Sequence, residues 1–447
     1  MRVIADLHIH SRYSRATSAS MNIPEIARFA RIKGLSLVGT GDFTHPRWLR
    51  EIKERLNYSP EMGLYRPVDP SLSGVYFMVT GEVSTVFTLE GGGKKVHHVI
   101  LTPSIEVAEQ LNDRLSRYGD LEADGRPTLD ISAAHLVEEV METSRDNMVF
   151  PAHAWTPWFS VFGAFSGFDR MEDCYEDMTR YVYALETGLS SDPRMNWRLS
   201  SLDRFALLSN SDSHSSWPWR LGREANVFEL EQLSYWRLLD SIKKRDPNTL
   251  RFTIETDPAY GKYHWSGHRN CGVSLPPEEA IRLGDRCPVC HRRMTKGVEQ
   301  RVEELADRPP GFRPPGSPGY IHLLPLSEVI SAVIGAGSPS SGRVWSIYNT
   351  LISHFGNEYS VLIDAGFDEL VRVVDPAVAE AIIRVREGRV RVIPGYDGVY
   401  GQIIIFPERG EGVAREAGAG GEVEEAERTK GERDNGGARQ RSLKEFL

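Results

Sequence analysis

The sequence predicts an α/β protein whose first and largest part is a closed β/α barrel, followed by a cysteine-bearing insert and a mostly helical C-terminal domain. Two observations favour this fold class. Over about the first 240 residues, short apolar runs alternate with helical patterns, which is typical of parallel strands joined by helices. The 447 residues also exceed what one core normally accommodates, so we expect two or three domains.

Seven apolar runs are the strand candidates of the barrel. They lie at 2–7, 35–40, 75–82, 96–101, 148–152, 181–186 and 205–209. Helical stretches separate some of them, for example 22–33, where Asn22 is placed to cap the helix and Pro24 lies in its first turn. An alternation of this length suits a closed barrel.

Changes in composition mark the later parts of the chain. The stretch "RPPGFRPPGSPG" is typical of a semi-rigid linker, and two short strand-like runs around "PGYDGVYG" end a mostly helical region. From Glu408 onward the chain is Gly, Glu and Arg with almost nothing apolar, so we expect disorder. The predicted parts are therefore a barrel, a zinc-binding module, a mostly helical domain and a disordered tail, at 1–245, 255–305, 320–406 and 407–447.

The bulk composition is ordinary for a soluble globular protein, with 40% hydrophobic and 26% charged residues. No apolar run approaches the length of a membrane span, and the N-terminus lacks a signal-peptide pattern, so we expect a cytoplasmic protein with no membrane partner. The net charge of −9 gives no overall attraction to nucleic acid, so any such binding must come from local patches.

The opening stretch "ADLHIHSRYS" places Asp6, His8 and His10 at alternate positions directly after apolar residues. On a strand these three side chains point the same way, at positions where a buried face normally carries Val, Ile or Leu. Two imidazoles and a carboxylate converging at a strand end indicate a metal site.

Further polar clusters follow other strand candidates, at their C-terminal ends, where parallel barrels assemble their active sites. One such histidine alone would be better explained as a core residue, but six strand ends share the feature. Nitrogen and oxygen donors without thiolate suit zinc, manganese or iron, and their number exceeds what one ion needs. We therefore expect two or three ions among Asp42, His45, Glu82, His97, His98, His153, Asp212 and His214.

This set resembles the PHP (polymerase and histidinol phosphatase) superfamily, with "DLHIHS", "GTGD" and "SDSH" in family order. The resemblance implies a distorted seven-stranded β/α barrel with a two- or three-metal phosphoesterase site. Glu82 would bridge ions, and His97 is preferred to His98. Arg15 stands where the family usually has an aspartate, which weakens the case for a third ion. The implied ligands are His8, His10, Asp42, Glu82, His97, His153, Asp212 and His214, with Asp212, Glu82 and His153 catalytic.

The insert holds two short-spaced pairs, His268-x2-Cys271 and Cys287-x2-Cys290, fifteen residues apart. Such spacing resembles a zinc ribbon and predicts a closed, structural zinc site with the ligands His268, Cys271, Cys287 and Cys290. His264 or His291 is the alternative fourth ligand. Residues 262–301 also carry eight Lys/Arg against four Asp/Glu, a patch that fits either a nucleic acid backbone or an ordinary solvated face.

Five motifs in order, "GTGDFTHPRW", "ETGLSSDP", "KYHWSGHRNCGV", "RCPVC" and "PGYDGVYG", resemble the endonuclease Q family. The resemblance implies a DNA repair endonuclease that cuts 5′ to deaminated bases (uracil, hypoxanthine, xanthine) and, as a further substrate, at abasic sites, leaving 3′-hydroxyl and 5′-phosphate ends. The expected cofactors are two or three divalent cations (Zn²⁺, Mn²⁺ or Mg²⁺) and one structural zinc. Two alternatives remain: a PHP phosphatase for a small metabolite, and a non-catalytic DNA or clamp adaptor.

The C-terminal "QRSLKEFL" (440–447) ends a polar tail with three apolar residues at helical spacing. The spacing resembles the PCNA-interacting peptide, which implies a sliding clamp as partner, held by Gln440, Leu443, Phe446 and Leu447. A chance amphipathic ending is the competing interpretation.

Overall fold

Strands occupy the apolar runs of the chain. The computed structural model describes residues 1–89, 92–408 and 411–415. Within these residues the strands are β1 (Arg2–Asp6), β2 (Leu37–Gly39), β3 (Leu56–Ser59), β4 (Leu64–Pro67), β5 (Tyr76–Leu89), β6 (Gly92–Thr102), β7 (Thr128–Leu129), β8 (Met148–Pro151), β9 (Ala184–Glu186), β10 (Ala206–Leu208), β11 (Ala225–Glu229), β12 (Leu250–Glu255), β13 (Ser266–His268), β14 (Val273–Leu275), β15 (Gly319–His322), β16 (Arg391–Ile393), β17 (Gln402–Phe406) and β18 (Glu411–Arg415).

Helices separate many of these strands, and short 3₁₀ turns and one π-helical turn, Ser360–Asp364, supplement them. The α-helices of the described residues are α1 (Ile23–Lys33), α2 (Pro46–Arg55), α3 (Ile105–Leu115), α4 (Ala133–Thr143), α5 (Met171–Tyr175), α6 (Pro193–Asn196), α7 (Tyr235–Lys244), α8 (Pro277–Arg282), α9 (Val298–Leu305), α10 (Leu326–Val333), α11 (Gly342–Phe355), α12 (Phe367–Leu370) and α13 (Pro376–Arg386).

The predicted helix at 22–33 forms as α1, for the reasons that its sequence suggests. The side chain of Asn22 accepts a hydrogen bond from the Glu25 N–H at 3.2 Å, which satisfies one of the free amides of the first turn. Gly34 ends the helix at a φ of 99°, a left-handed conformation that a side chain would disfavour. The apolar face of α1 is buried against the sheet.

All seven predicted strands form, as β1, β2, β5, β6, β8, β9 and β10. β1, β2 and β5 pair in parallel, but β6 runs antiparallel to both β5 and β8. The expectation of a parallel arrangement is wrong for β6, because only two residues separate it from β5 and a parallel crossover needs a dozen or so. β9 and β10 pair with each other in a separate two-stranded sheet, so closure as a seven-stranded barrel stays a prediction.

The core lies on both faces of the central sheet. Alternation along β1 assigns Val3 and Ala5 to one buried cluster and Ile4 to a larger one, as expected for a strand covered on both sides. Further strands extend this sheet, in the order β15–β12–β11–β1–β2–β5–β4–β3. β15 belongs to the C-terminal third of the chain, so that region is tied into the central sheet by backbone hydrogen bonds.

The C-terminal region consists of α10–α13 and the antiparallel sheet β16–β17–β18. The expectation of disorder from 407 onward is wrong for Glu411–Arg415, which pairs with β17 as β18. Val413 and Ala414 supply apolar side chains to this strand, and Ala414 is 2% exposed in the core. The predicted clamp peptide at 440–447 lies outside the described residues.

Among the helices that the structure describes, none is both long and apolar enough to cross a bilayer. The 14 residues of α11 would span about 21 Å, less than the roughly 30 Å of a hydrocarbon core.

Candidate metal centre

Polar side chains from five strands, or from the loops that follow them, lie close together in the N-terminal half of the chain. His8 and His10 follow β1, and Glu82 and His97 lie within the antiparallel pair β5–β6. His153 follows β8 and Asp212 follows β10. Among the eight predicted ligands, the structure brings six into two groups of close donor atoms that share one carboxylate: His8, His10, Glu82 and Asp212 in the first, and Glu82, His97 and His153 in the second.

The first donor group brings the Nε2 atoms of His8 and His10 close to two carboxylates. His10 Nε2 lies 2.9 Å from Asp212 Oδ1 and 3.1 Å from Glu82 Oε2. His8 Nε2 lies 3.4 Å from the same Glu82 oxygen. Despite these short distances, the buried atoms His8 Nε2, His10 Nε2 and Asp212 Oδ1 make no hydrogen bond with favourable angles, and an unpaired buried polar atom is costly. A bound cation would satisfy all three.

The second group uses the other oxygen of Glu82. Oε1 lies 2.9 Å from His97 Nδ1 and 3.2 Å from His153 Nε2, and these two nitrogens are 3.3 Å apart. His98, the alternative to His97, points away from the site: its Nδ1 lies 2.9 Å from the Tyr175 hydroxyl. The carboxylate of Glu82 therefore presents one oxygen to each group, which is the arrangement that a bridging ligand needs.

Buried carboxylates and histidines perturb one another's pKa values in this site. Burial raises the pKa of the Glu82 carboxyl, but His97, Arg126 and His8 outweigh it and hold the pKa well below its usual range. Burial likewise lowers the pKa of His8, yet the nearby carboxylates, Glu186 first, raise it well above its ordinary value. Divalent cations would supply the same positive charge, and nitrogen and oxygen donors without sulfur fit zinc, manganese or iron.

Glu186, at the end of β9, contacts one histidine of each donor group. Its Oε2 lies 3.0 Å from His8 Nδ1 and accepts the His153 backbone N–H at 2.8 Å, and its Oε1 accepts a hydrogen bond from Asn210 at 2.7 Å. Such partners fix the tautomer and the orientation of a ligating histidine. Sequence reasoning missed this residue, although a carboxylate at the end of a strand candidate was the same signal that identified Glu82.

Two of the predicted ligands, Asp42 and His214, lie outside both donor groups of the described residues, so their role as ligands stays a prediction. Asp42 Oδ2 accepts hydrogen bonds from the Ser11 N–H and from the hydroxyls of Ser11 and Ser14, at 2.6, 2.6 and 2.9 Å. Asp42 Oδ1 lies 2.9 Å from His10 Nδ1, so this carboxylate orients His10. His214 Nδ1 contacts the Asp212 carbonyl at 2.9 Å. The third-ion expectation therefore gains no ligand group among the described residues.

Strained backbone marks the same region. Asp42, His153 and Asp212 have φ angles of 45°, 28° and 48°, which are uncommon for residues other than glycine. Such conformations persist where the surrounding structure enforces them, and they cluster at functional sites. Gly188 adds a close approach, since a Cβ built there would lie 2.7 Å from His153 Cβ.

The cysteine insert forms a separate group on the hairpin β13–β14 and the loops around α8. Donor atoms of His268, Cys271, Cys287 and Cys290 all lie within 4.8 Å of one another, the set that tetrahedral structural zinc prefers. Burial raises the pKa of the Cys287 thiol, but the backbone amides of Cys290 and Val289 lower it to about 7, which favours the thiolate that binds metal. His264, an alternative ligand, instead contacts Glu299 at 3.3 Å. Beside the group lie four exposed arginines, Arg282, Arg286, Arg292 and Arg293.

Comparison with known proteins gives matches to both halves of the chain. The profile of the MJ0043 C-terminal domain family matches residues 325–389, which comprise α10–α13. The MJ0043 protein of Methanocaldococcus jannaschii is 37% identical over 267 residues, 58% of this chain. The match spans only about a third of that protein, 32% of its length.

Two solved structures match nearly the whole chain. A lesion-specific endonuclease from Pyrococcus furiosus, PfuEndoQ, superposes with a TM-score of 0.81 at 34% identity, covering 90% of this chain and 95% of that one. A structure of endonuclease Q with a 27-mer duplex carrying an abasic lesion at its active site gives the same score and identity, covering 93% and 99%.

Proposed function

The chain belongs to the endonuclease Q family, and from that premise we propose that it is a metal-dependent DNA repair endonuclease that cuts duplex DNA beside a damaged base. The observation that carries the proposal is the sharing of Glu82 between two groups of donors, the first of which contains three buried nitrogen and oxygen atoms that lack hydrogen-bond partners. The neighbouring structure with an abasic duplex at its active site supports DNA as the substrate.

The donor groups define which residues would hold the ions. His8, His10, Glu82 and Asp212 fit one cation, and Glu82, His97 and His153 fit a second. Cations held there would lower the pKa of a bound water and stabilise the oxygens of a phosphodiester during in-line displacement.

The roles of the individual side chains follow from their charge and exposure. The imidazoles of His8 and His10 outweigh burial and hold the pKa of Asp212 far below its usual range, so its carboxylate stays anionic. Asp212 is also 28% exposed, which leaves it facing the opening of the site. We assign Asp212 as the group that orients the attacking water and Glu82 as the bridging ligand. We assign His153 as the residue that pairs with Glu82 in the second donor group. We expect 3′-hydroxyl and 5′-phosphate products.

The finer choice of substrate extends the family assignment. We propose deaminated bases (uracil, hypoxanthine and xanthine), and abasic sites as a further class. The zinc module and its exposed arginines would contact phosphates of the duplex, which positions the enzyme without reading sequence. A phosphatase for a small metabolite would have no use for this module, so we rank that function second and a non-catalytic adaptor third.

We also propose that the tail recruits a sliding clamp through Gln440, Leu443, Phe446 and Leu447. The support is the spacing of these residues at the very end of a polar segment. The segment would link the nuclease to the clamp and so raise the local concentration of the nuclease on clamp-bound DNA.

The decisive experiment uses labelled duplexes that each carry one deaminated base or an abasic site, incubated with the full chain and Mg²⁺, Mn²⁺ or Zn²⁺. We expect a nick immediately 5′ to the lesion and none in undamaged duplex. Asp212→Asn should abolish nicking while its melting temperature stays near that of the wild type. Asp113→Asn, an exposed residue of α3, is the matched control. Wild-type hydrolysis of small phosphomonoesters without any nicking would favour the phosphatase instead.

A further inference from the structure

A guanidinium that the sequence did not single out points at the carboxylate shared by both donor groups. Arg126 Nη1 lies 3.2 Å from Glu82 Oε2, and its side chain is 27% exposed. Arginine carries five N–H donors. Among the described residues, Glu82 is the acceptor recorded for this guanidinium, so most of these donors remain for another ligand.

The loop that carries Arg126 is fixed on both sides. The Asp124 carboxylate accepts the Arg126 backbone N–H at 3.0 Å, and the Pro127 carbonyl accepts the Ser84 N–H at 2.9 Å, two residues beyond Glu82 on β5. Gly125 is pressed so closely into the wall of the site that a Cβ there would lie 2.3 Å from Asp42 Oδ2. The backbone that carries Arg126 is therefore held beside the site before any substrate arrives, and the bond to Glu82 directs its guanidinium there, as electrostatic catalysis requires.

The charge of the site explains why an arginine suits this position. A guanidinium stays protonated at any physiological pH, so Arg126 carries a positive charge beside Glu82. Once divalent cations occupy the donor groups, they neutralise Glu82, and the charge of Arg126 becomes a surplus that favours an anion. A fork of N–H donors matches the non-bridging oxygens of a phosphate.

We propose that Arg126 forms a phosphate subsite that holds the non-bridging oxygens of the phosphodiester being hydrolysed. The inference rests on the proposed nuclease function. In the reaction, the water oxygen bonds to phosphorus as the bond from phosphorus to the 3′ oxygen breaks. A proton from the water ends on that 3′ oxygen, and Arg126 keeps its own protons throughout.

The test measures single-turnover nicking of a duplex that carries one tetrahydrofuran abasic analogue, using the metal-loaded full chain. Arg126→Met should slow the chemical step by about 100-fold, the usual effect of removing one donor to the transition state. Added guanidinium ion should restore part of the lost rate. Arg126→Lys should stay well below wild type, since an ammonium cannot form the fork. Arg117→Met, an exposed arginine just before the same loop, should be unchanged.

Two measurements apart from activity separate this role from a structural one. Titration calorimetry with inorganic phosphate should show binding about tenfold weaker to metal-loaded Arg126→Met than to wild type, and mass spectrometry should find equal metal content. Wild-type phosphate affinity in Arg126→Met would overturn the subsite. So would a loss of metal without rescue by guanidinium, since Arg126 would then only hold Glu82. A wild type that nicks no duplex would refute the proposed function, and the phosphate titration would still decide this inference.

Discussion

Lys33 and Glu358 form an ion pair that is 1% exposed on each side, with Nζ 2.8 Å from Oε1. Lys33 ends α1 on the barrel, whereas Glu358 follows α11 in the C-terminal region. Glu358 also accepts hydrogen bonds from the Leu326 N–H at 3.0 Å and the Tyr348 hydroxyl at 2.7 Å, and Lys33 donates to the Pro218 carbonyl at 2.7 Å. One buried pair thus joins the barrel, the C-terminal helices and the chain segment that follows Asp212.

Lys33→Met should destabilise the protein by about 3–5 kcal/mol, because it leaves the carboxylate of Glu358 buried without its cation. The double variant Lys33→Met/Glu358→Gln should lose less than the single one. Urea unfolding followed by circular dichroism measures both. Lys53→Met, which breaks the exposed Lys53–Glu109 pair, should cost less than about 1 kcal/mol. Equal losses for Lys33→Met and Lys53→Met would contradict the importance of burial.

Glu186→Gln should weaken the affinity of the barrel for divalent cations by about 10- to 100-fold, because His8 and His153 lose the carboxylate that orients them. Competition with a chromophoric chelator measures the affinity. Glu61→Gln, an exposed residue between β3 and β4, serves as the control. Undiminished affinity in Glu186→Gln would remove this residue from the support of the site.

Cys287→Ser should release one equivalent of zinc and weaken binding to lesion-bearing and undamaged duplexes alike, since backbone contacts carry no sequence information. Atomic emission and fluorescence anisotropy measure the two effects. Hydrolysis of a small phosphoester by the barrel should persist. Cys174→Ser alters a buried cysteine outside the group and should keep its zinc; unchanged zinc in Cys287→Ser would refute the ligand assignment.

Glu224 should make the protein less stable as the pH rises. Burial raises the pKa of this carboxyl from its ordinary 4.5 to about 8, so between these values the folded state keeps a proton that the unfolded chain releases. Stability from this group therefore falls as the pH increases from about 4.5 to 8. Melting temperatures should decline less over that range in Glu224→Gln than in wild type, and Glu231→Gln, at an 85% exposed side chain, should follow wild type. Parallel curves for Glu224→Gln and wild type would contradict the raised pKa.

Deletion of residues 440–447, or the pair Leu443→Ala and Phe446→Ala, should abolish binding to PCNA in titration calorimetry. The apolar side chains provide the buried area on which a helix-in-groove contact depends. Nicking without the clamp should stay at the wild-type rate. Full-strength clamp binding by the truncated chain would show that the contact lies elsewhere.

The sequence identified the metal-ligand candidates that follow a strand pattern. It did not identify the residues that contact those candidates from distant parts of the chain. His8, His10 and Glu82 could be found because each comes at a strand end or within a strand whose neighbours are apolar. The contacts of Asp42 could not be found in the same way, because the serine hydroxyls that donate to its oxygen come from another loop, 28 and 31 residues away in the chain.

Arg126 gave no local signal at all. It follows "EADG" in a loop without apolar periodicity, and only the parallel pairing of β7 with β5 brings it beside Glu82. The antiparallel direction of β6 was in principle accessible, since two residues cannot carry a chain back to the start of a parallel neighbour. Local sequence patterns therefore identify candidate ligands. Contacts between residues that are far apart in the sequence cannot be found from such patterns.

The single carboxylate common to both donor groups has a thermodynamic consequence. A cation that engages one oxygen of Glu82 changes the charge and the orientation of the other oxygen, so the two positions form one linked equilibrium rather than two independent ones. Because linkage is reciprocal, the first ion changes the affinity for the second by the same factor whichever position is filled first. Titrating either position with and without the other ion present should therefore give one and the same coupling factor, and that factor passes through a single side chain.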